Sequence, residues 1–298
     1  GLDNLKRKIM TTLTPNHLLM QTGVNLARPL RRLLPPEISS QLPIAGKELN
    51  RPEGTRARKM LLLEGCAQSS LTPETNAAAA RVLDRFGIQL VREEKPGCCG
   101  AVRLHTSERA KGIRDIKLRI DTWWPMLGNN VEAIISTASG CGLTVKDYGD
   151  LLEDDPAYAR KARHIAGMVM DISEVICREV AKSPPAPELR QNYKVAFHSP
   201  CTLQHGQRIT GKVESVLQQY GFNLLPVSDS HLCCGSAGTY SVLQPDLSGS
   251  LRTDKLANLQ AHGPDVIATA NVGCQLHLRK DSNVPVLHWI ELLDTVKG

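Results

Sequence analysis

The sequence predicts an α/β protein of two tandem pseudo-symmetric repeats, each a small parallel sheet flanked by helices, with cysteines at the carboxyl ends of the strands. Three observations predict it. A four-cysteine pattern occurs twice: 31 residues separate Cys66 from Cys98 and 31 separate Cys201 from Cys233, and Cys98-Cys99-Gly100 is answered by Cys233-Cys234-Gly235. Fourth cysteines follow at Cys141 and Cys274, after 41 and 39 residues, so the pattern is displaced by about 135 positions. The flanks agree as well: 59–66 (KMLLLEGC) pairs with 194–201 (KVAFHSPC), 132–141 (EAIISTASGC) with 265–274 (DVIATANVGC), and 169–176 echoes 286–293. Nine scattered cysteines would give about 0.24 adjacent pairs by chance, so two pairs, each followed by glycine, mark a duplication. The third observation is the alternation of elements between these cysteines.

Residues 60–63 and 195–197 are short apolar runs bounded by Gly or Pro, as strands covered on both faces are. Helix-forming stretches follow at 75–86 and 212–220, each closed by a glycine, Gly87 or Gly221, suited to a left-handed cap. Second strands are expected at 88–91 and 222–225, helices around 108–118 and 254–261, and third strands at 133–137 and 266–270. Strand, helix, strand, helix, strand is the order of a parallel layer. Ligands of such sheets gather outside the carboxyl ends of the strands. Cys66, Cys98, Cys99 and Cys141 are therefore expected to converge in loops at one edge, and Cys201, Cys233, Cys234 and Cys274 at another. The domain borders expected are a basic N-terminal arm over 1–54, a first repeat over 55–182, a Pro-rich linker over 183–192 and a second repeat over 193–298.

Composition excludes several classes. With 41% hydrophobic and 22% charged residues in 298, the chain is an ordinary globular one. Only 4% of residues are aromatic, too few for a base-stacking surface, so no nucleic acid partner is expected. No apolar run approaches the roughly 20 residues that cross a bilayer, and no secretory signal opens the chain at Gly1. The net charge of +6 is local: residues 1–60 carry 11 Lys and Arg against 4 Asp and Glu. A solvated connecting arm is the plain reading of that excess, with an acidic partner or an anionic membrane surface as the functional one. No nucleotide-binding glycine loop is present.

The nine cysteines read as reduced thiols in a cytoplasmic protein, because adjacent cysteines close almost no loop and cross-link poorly. Four convergent sulfurs suit an iron-sulfur cluster, whose irons take soft thiolates. Zinc is the second chemistry, although its usual close C-x2-C pairs are missing. A redox-active thiol pair is the third.

The doubled C-x31-CCG pattern resembles the cysteine-rich CCG domain found in heterodisulfide reductase and in iron-sulfur subunits of glycolate, lactate and glycerol-3-phosphate oxidising complexes. Stretches 64–69 (EGCAQS), 138–142 (ASGCG), 200–205 (PCTLQH), 230–239 (SHLCCGSAGT) and 271–275 (NVGCQ) look most like the glycolate oxidase iron-sulfur subunit family, over about residues 55–298. The resemblance implies an electron-transfer subunit that takes electrons from a flavin-containing 2-hydroxy-acid dehydrogenase subunit and passes them to an acceptor such as quinone. It implies a cluster of 4Fe-4S type on Cys66, Cys98, Cys99, Cys141, Cys201, Cys233, Cys234 and Cys274, with zinc or an empty site as the alternative. It also implies an N-terminal ferredoxin-like domain, missing from this chain, and a place in the cytoplasm or peripherally on the inner face of the membrane. The family's fullest motif closes each repeat with C-x-x-C, where this chain has Thr144 and His277; His277 could still ligate. A non-redox scaffold of the same complex and a thiol-disulfide oxidoreductase are the other functions in view.

His198, His205 and His231 lie near the second set of cysteines and are read as hydrogen-bond donors to sulfur, proton relays or plain polar packing. Cys177, outside the pattern, is expected as a buried structural thiol within 169–180. Trp123-Trp124-Pro125 is expected in core or interface, and 183–187 (SPPAP) as a stiff linker.

Overall fold

A computed structural model of the chain describes every residue except 1, 35–38, 40–41, 44–48, 94, 129, 186–192, 239 and 297–298. The described residues form two compact units, one of 1–34 with 42–171 and one of 172–298 with the few residues around Ser39.

Each unit holds a four-stranded parallel sheet. In the first, β1 (Arg58–Leu63), β2 (Ile88–Arg92), β3 (Val131–Ser136) and β4 (Val169–Asp171) lie in the order β2-β1-β3-β4. In the second, β5 (Lys194–His198), β6 (Asn223–Leu224), β7 (Val266–Thr269) and β8 (Val286–His288) lie in the order β6-β5-β7-β8. The three pairings of one sheet are repeated in the other, and all are parallel. The strands are apolar without alternation because helices cover both faces: Met60, Leu61, Leu62 and Leu63 are all buried, as are all four residues of β7.

Every connection is helical. Pro73–Arg85 starts with proline at its first position, where the missing N–H costs nothing, and its alanines Ala77, Ala78, Ala79 and Ala80 are all buried. Arg109–Trp123 carries Ile116, Ile120 and Trp123 into a core with Leu61, Leu63, Ile134, Tyr148 and Val169. In the second unit Leu256 and Leu259 of Pro245–Gln260 pack with Ala196, Ile267, Leu278 and Val286. Each fully buried leucine, isoleucine or valine among them contributes roughly 1.5–3 kcal/mol.

The structure adds to the sequence reading in three places. The fourth strands, β4 and β8, are only three residues long each, too short to show a pattern of their own. Within 1–54, expected as a solvated arm, the helices Leu2–Leu13 and His17–Ala27 form, the second capped by Asn16, whose side chain accepts from Leu19 N at 3.2 Å. Buried Thr11 ties the first helix to the first unit: its hydroxyl donates to Glu108 at 3.3 Å and its carbonyl accepts from Arg103 at 3.2 Å. Finally, the helix Ile172–Lys182 belongs to the second unit, ahead of the expected linker, most of which lies outside the described residues. Cys177 on that helix is half-buried rather than buried, because the buried stripe runs through Ile172, Val175, Ile176, Glu179 and Val180 and passes beside it.

Candidate metal centre

The strand order places the cysteines. Between β1 and β3 the chain leaves in opposite directions, so a crevice opens outside their carboxyl ends, the usual binding place of such sheets. Cys66 follows β1 and opens the helix Cys66–Leu71; Cys141 follows β3 on the helix Ser139–Lys146. They flank the crevice, and a Cβ on Gly65 would stand 3.8 Å from the Cys141 sulfur. Cys98 and Cys99 occupy the loop after β2, next to β1. The second unit repeats this with Cys201 after β5, Cys233 and Cys234 after β6, and Cys274 on the helix Val272–Arg279 after β7. Cysteines expected in loops thus sit on first helical turns in three of these places, Cys66, Cys141 and Cys274, where free backbone N–H groups favour the thiolate.

In each unit the sulfurs interact in sequence. Cys66 contacts Cys98, Cys98 contacts Cys99, and Cys99 contacts Cys141; Cys201, Cys233, Cys234 and Cys274 form the same chain. The two CCG loops repeat each other in detail. Cys98 Sγ accepts from Gly100 N at 3.4 Å and Cys233 Sγ from Gly235 N at 3.3 Å. Both glycines are left-handed, at φ 95° and 88°. A Cβ would lie 2.8 Å from Ile116 at the first and 2.5 Å from the Ser248 carbonyl at the second, so backbone and packing both demand glycine there.

These contacts sort the thiols by charge. Cys98 is held well below the ordinary thiol range by hydrogen bonds from Cys66 and Cys99, and Cys66 and Cys99, as donors and by burial, are pushed well up. In the second unit Cys233 is lowered by Cys201 and Cys234, and Cys274 by Cys234 and then His198, while Cys201 and Cys234 are raised. In each set these contacts favour the thiolate on particular sulfurs, the form that binds metal.

The histidines separate. His198, the last residue of β5, is buried, and among the described residues neither ring nitrogen has a nitrogen or oxygen partner; the ring's polar contact is with the Cys274 sulfur. A ring nitrogen of His198 and the sulfurs of Cys234 and Cys274 all lie within 4.8 Å of one another. His277 turns elsewhere: its Nε2 meets the Ser248 hydroxyl at 3.2 Å, and Ser248 in turn donates to the Gly235 carbonyl at 2.8 Å. It braces the back of the CCG loop instead of joining the sulfurs. Thr144, its counterpart, donates to the Gly140 carbonyl of its own helix at 3.0 Å. His205 Nε2 meets the His231 carbonyl at 3.1 Å, and both residues are exposed. Trp123 is core, its indole donating to Glu93 at 2.9 Å.

Sequence reasoning missed the buried charges behind the loops. Arg119 is paired with Glu93 and donates to the Lys95 carbonyl at 2.6 Å; Lys255 donates to the carbonyls of Asp229 and Ser230 at 2.7 and 3.4 Å. Lys95 and Ser230 each stand three residues before the first cysteine of a pair. The repeat itself was the available signal, since Arg119 and Lys255 lie about one repeat apart. Tyr148, also missed, donates to the Cys99 carbonyl at 2.8 Å.

The donor sets fit a thiophilic metal centre: sulfur ligands from three strand ends, thiolate already favoured, and amides aimed at sulfur. Fold and site together define a tandem cysteine-rich α/β protein with one four-thiol cluster per sheet. The chain belongs to the cysteine-rich domain family defined by the CCG motif, which matches it twice, over residues 60–146 and 195–279. It is 43% identical over 293 residues to the glycolate oxidase iron-sulfur subunit of Escherichia coli (strain K12), covering 98% of this chain and 71% of that one. It is 26% identical to the probable glycolate oxidase iron-sulfur subunit of Bacillus subtilis (strain 168), covering 76% and 50%. With lactate utilization protein A of Bacillus licheniformis it shares 24% identity, covering 80% and 99%.

Proposed function

We propose that the chain is the iron-sulfur electron-carrying part of a complex that oxidises a 2-hydroxy acid of the glycolate or lactate type. The observation that carries the reading is the convergence of four sulfurs at the crevice of each sheet, in a chain 43% identical to a glycolate oxidase iron-sulfur subunit. A bound cluster, of four-iron type in this reading, supplies one-electron transfer at a potential set by its surroundings. The chain's own residues do the rest. Cys66, Cys98, Cys99 and Cys141 in one unit and Cys201, Cys233, Cys234 and Cys274 in the other hold the irons. The amides of Gly100 and Gly235 donate to ligand sulfurs, which favours the reduced, more negative state. Tyr148 pins the backbone of Cys99.

The partner in this reading is a flavin subunit that takes two electrons and two protons from the hydroxy acid, leaving the 2-oxo acid. The electrons leave singly through this chain to a quinone-type acceptor, which puts the complex at the inner face of the membrane. Among the described residues no helix is long and apolar enough to cross a membrane.

The test is anaerobic reconstitution of the full chain with iron and sulfide, followed by iron, sulfide and zinc analysis and by visible and paramagnetic resonance spectra. Bound iron with matching sulfide, reducible in single-electron steps, is the expected result. A colourless, iron-free protein that takes up zinc instead would establish the scaffold reading. Disulfides that form and break with a disulfide substrate in alkylation mapping would establish thiol catalysis.

A further inference from the structure

The two sulfur sets are alike, but their walls are not. Displacing His198 by the repeat of 135 positions lands on Leu63, a buried apolar residue at the same end of β1. The second unit thus exchanges a hydrocarbon for an imidazole at the point where the strand meets the cysteines. The ring is buried, and among the described residues neither nitrogen has a nitrogen or oxygen partner to satisfy it. The polar atoms it faces are the sulfurs of Cys234 and Cys274, with all three donor atoms within 4.8 Å of one another, the spacing of ligands around one ion.

We propose that His198 is a nitrogen ligand to the metal of the second unit, so that the chain builds two chemically different centres: all-sulfur in the first, nitrogen and sulfur in the second. His198, Cys234 and Cys274 supply three donors, and Cys233, in contact with Cys234, is next in line for a fourth position. Imidazole with thiolates suits either an iron of a cluster or a single zinc ion. The inference rests on the functional reading only in taking the second unit as a metal site. If the metal is cluster iron, a neutral nitrogen in place of a thiolate removes negative charge and raises the potential, as histidine ligation does elsewhere. The second unit would then be the later acceptor.

The experiment uses the full chain, unlabelled and with 15N-histidine, loaded anaerobically either with iron and sulfide or with Co(II) alone as a paramagnetic stand-in for zinc. Pulsed paramagnetic resonance reads nitrogen coupling to the metal. The expected result is a histidine coupling that changes with the isotope, disappears in His198→Leu, and persists in His277→Gln. Cobalt affinity of the second unit falls tenfold or more in His198→Leu. Leucine is the first unit's own solution at this position; His198→Gln is the second variant should His198→Leu fold poorly, and the isotope comparison needs no variant. An iron-sulfur spectrum without histidine coupling overturns this proposal and leaves the electron-transfer reading standing. Histidine coupling to cobalt in a chain that assembles no cluster supports the proposal and overturns that reading. A coupling that survives both substitutions of His198 also overturns it.

Discussion

Lys255 donates to the main-chain carbonyl of Asp229 at 2.7 Å, from inside the second unit. That ammonium is buried and its pKa lies below the ordinary lysine value, chiefly by desolvation and against the pull of Cys234, Asp229 and Cys233. Arg119 does the same for the first CCG loop, but its charge is matched by Glu93. Among the described residues no carboxylate pairs with Lys255 in that way, so a cation stands behind the second set of sulfurs, where it favours thiolate.

Lys255→Met should raise the pH at which Cys233 and Cys274 react with iodoacetamide and cost about 1–3 kcal/mol for the carbonyls left without a donor. Mass mapping of alkylation rates against pH reads the shift. The thiols of the first unit should keep their profiles; equal displacement in both units would show that the effect is not electrostatic.

Arg119→Met should destabilise the apo chain in urea by about 3–5 kcal/mol, the cost of breaking a buried pair from one side. Burial already pushes Glu93 up to about 7, against Arg119 and Trp123. The loss should therefore be smaller at pH 5.5, where Glu93 carries its proton and needs no counter-charge, than at pH 8. Adding Glu93→Gln should recover much of the stability at pH 8.

Gly235→Ala and Gly238→Ala make a matched pair. Both positions are left-handed, at φ 88° and 60°, but a Cβ on Gly235 meets the Ser248 carbonyl at 2.5 Å while that on Gly238 meets nothing within 4 Å. The second substitution should cost about 1–2 kcal/mol, from backbone alone, and the first at least twice as much, with loss of metal uptake in the second unit. Thermal melts and metal analysis of the two variants decide it.

His277 is lowered to about 4, first by burial and then by Arg252. A histidine whose folded pKa lies below its unfolded value of about 6.5 contributes stability that is present above that value and lost as pH falls toward about 4. Denaturation midpoints of the apo chain should drop across this window, and His277→Gln should flatten the slope. An unchanged slope in the variant would assign it to other groups.

The duplication, the parallel α/β class and the gathering of eight cysteines into two sets of four were legible in the sequence, because each depends on spacing along the chain. Strand ends separated by one helix must return to the same edge, so Cys66, Cys98 and Cys141 were bound to meet. Charge counts could not disclose the two helices within residues 1–54, since net charge says nothing about backbone conformation. Nor could spacing choose among the histidines. His277, three residues past Cys274, stood where a ligand could be and meets Ser248; His198, three residues before Cys201, faces the sulfurs of Cys234 and Cys274. Direction decides which side chain reaches a site, and direction comes from the sheet and the helix each residue stands on. The same holds for Arg119 and Lys255, whose roles depend on carbonyls some 25 residues away that only the packed helix brings within reach.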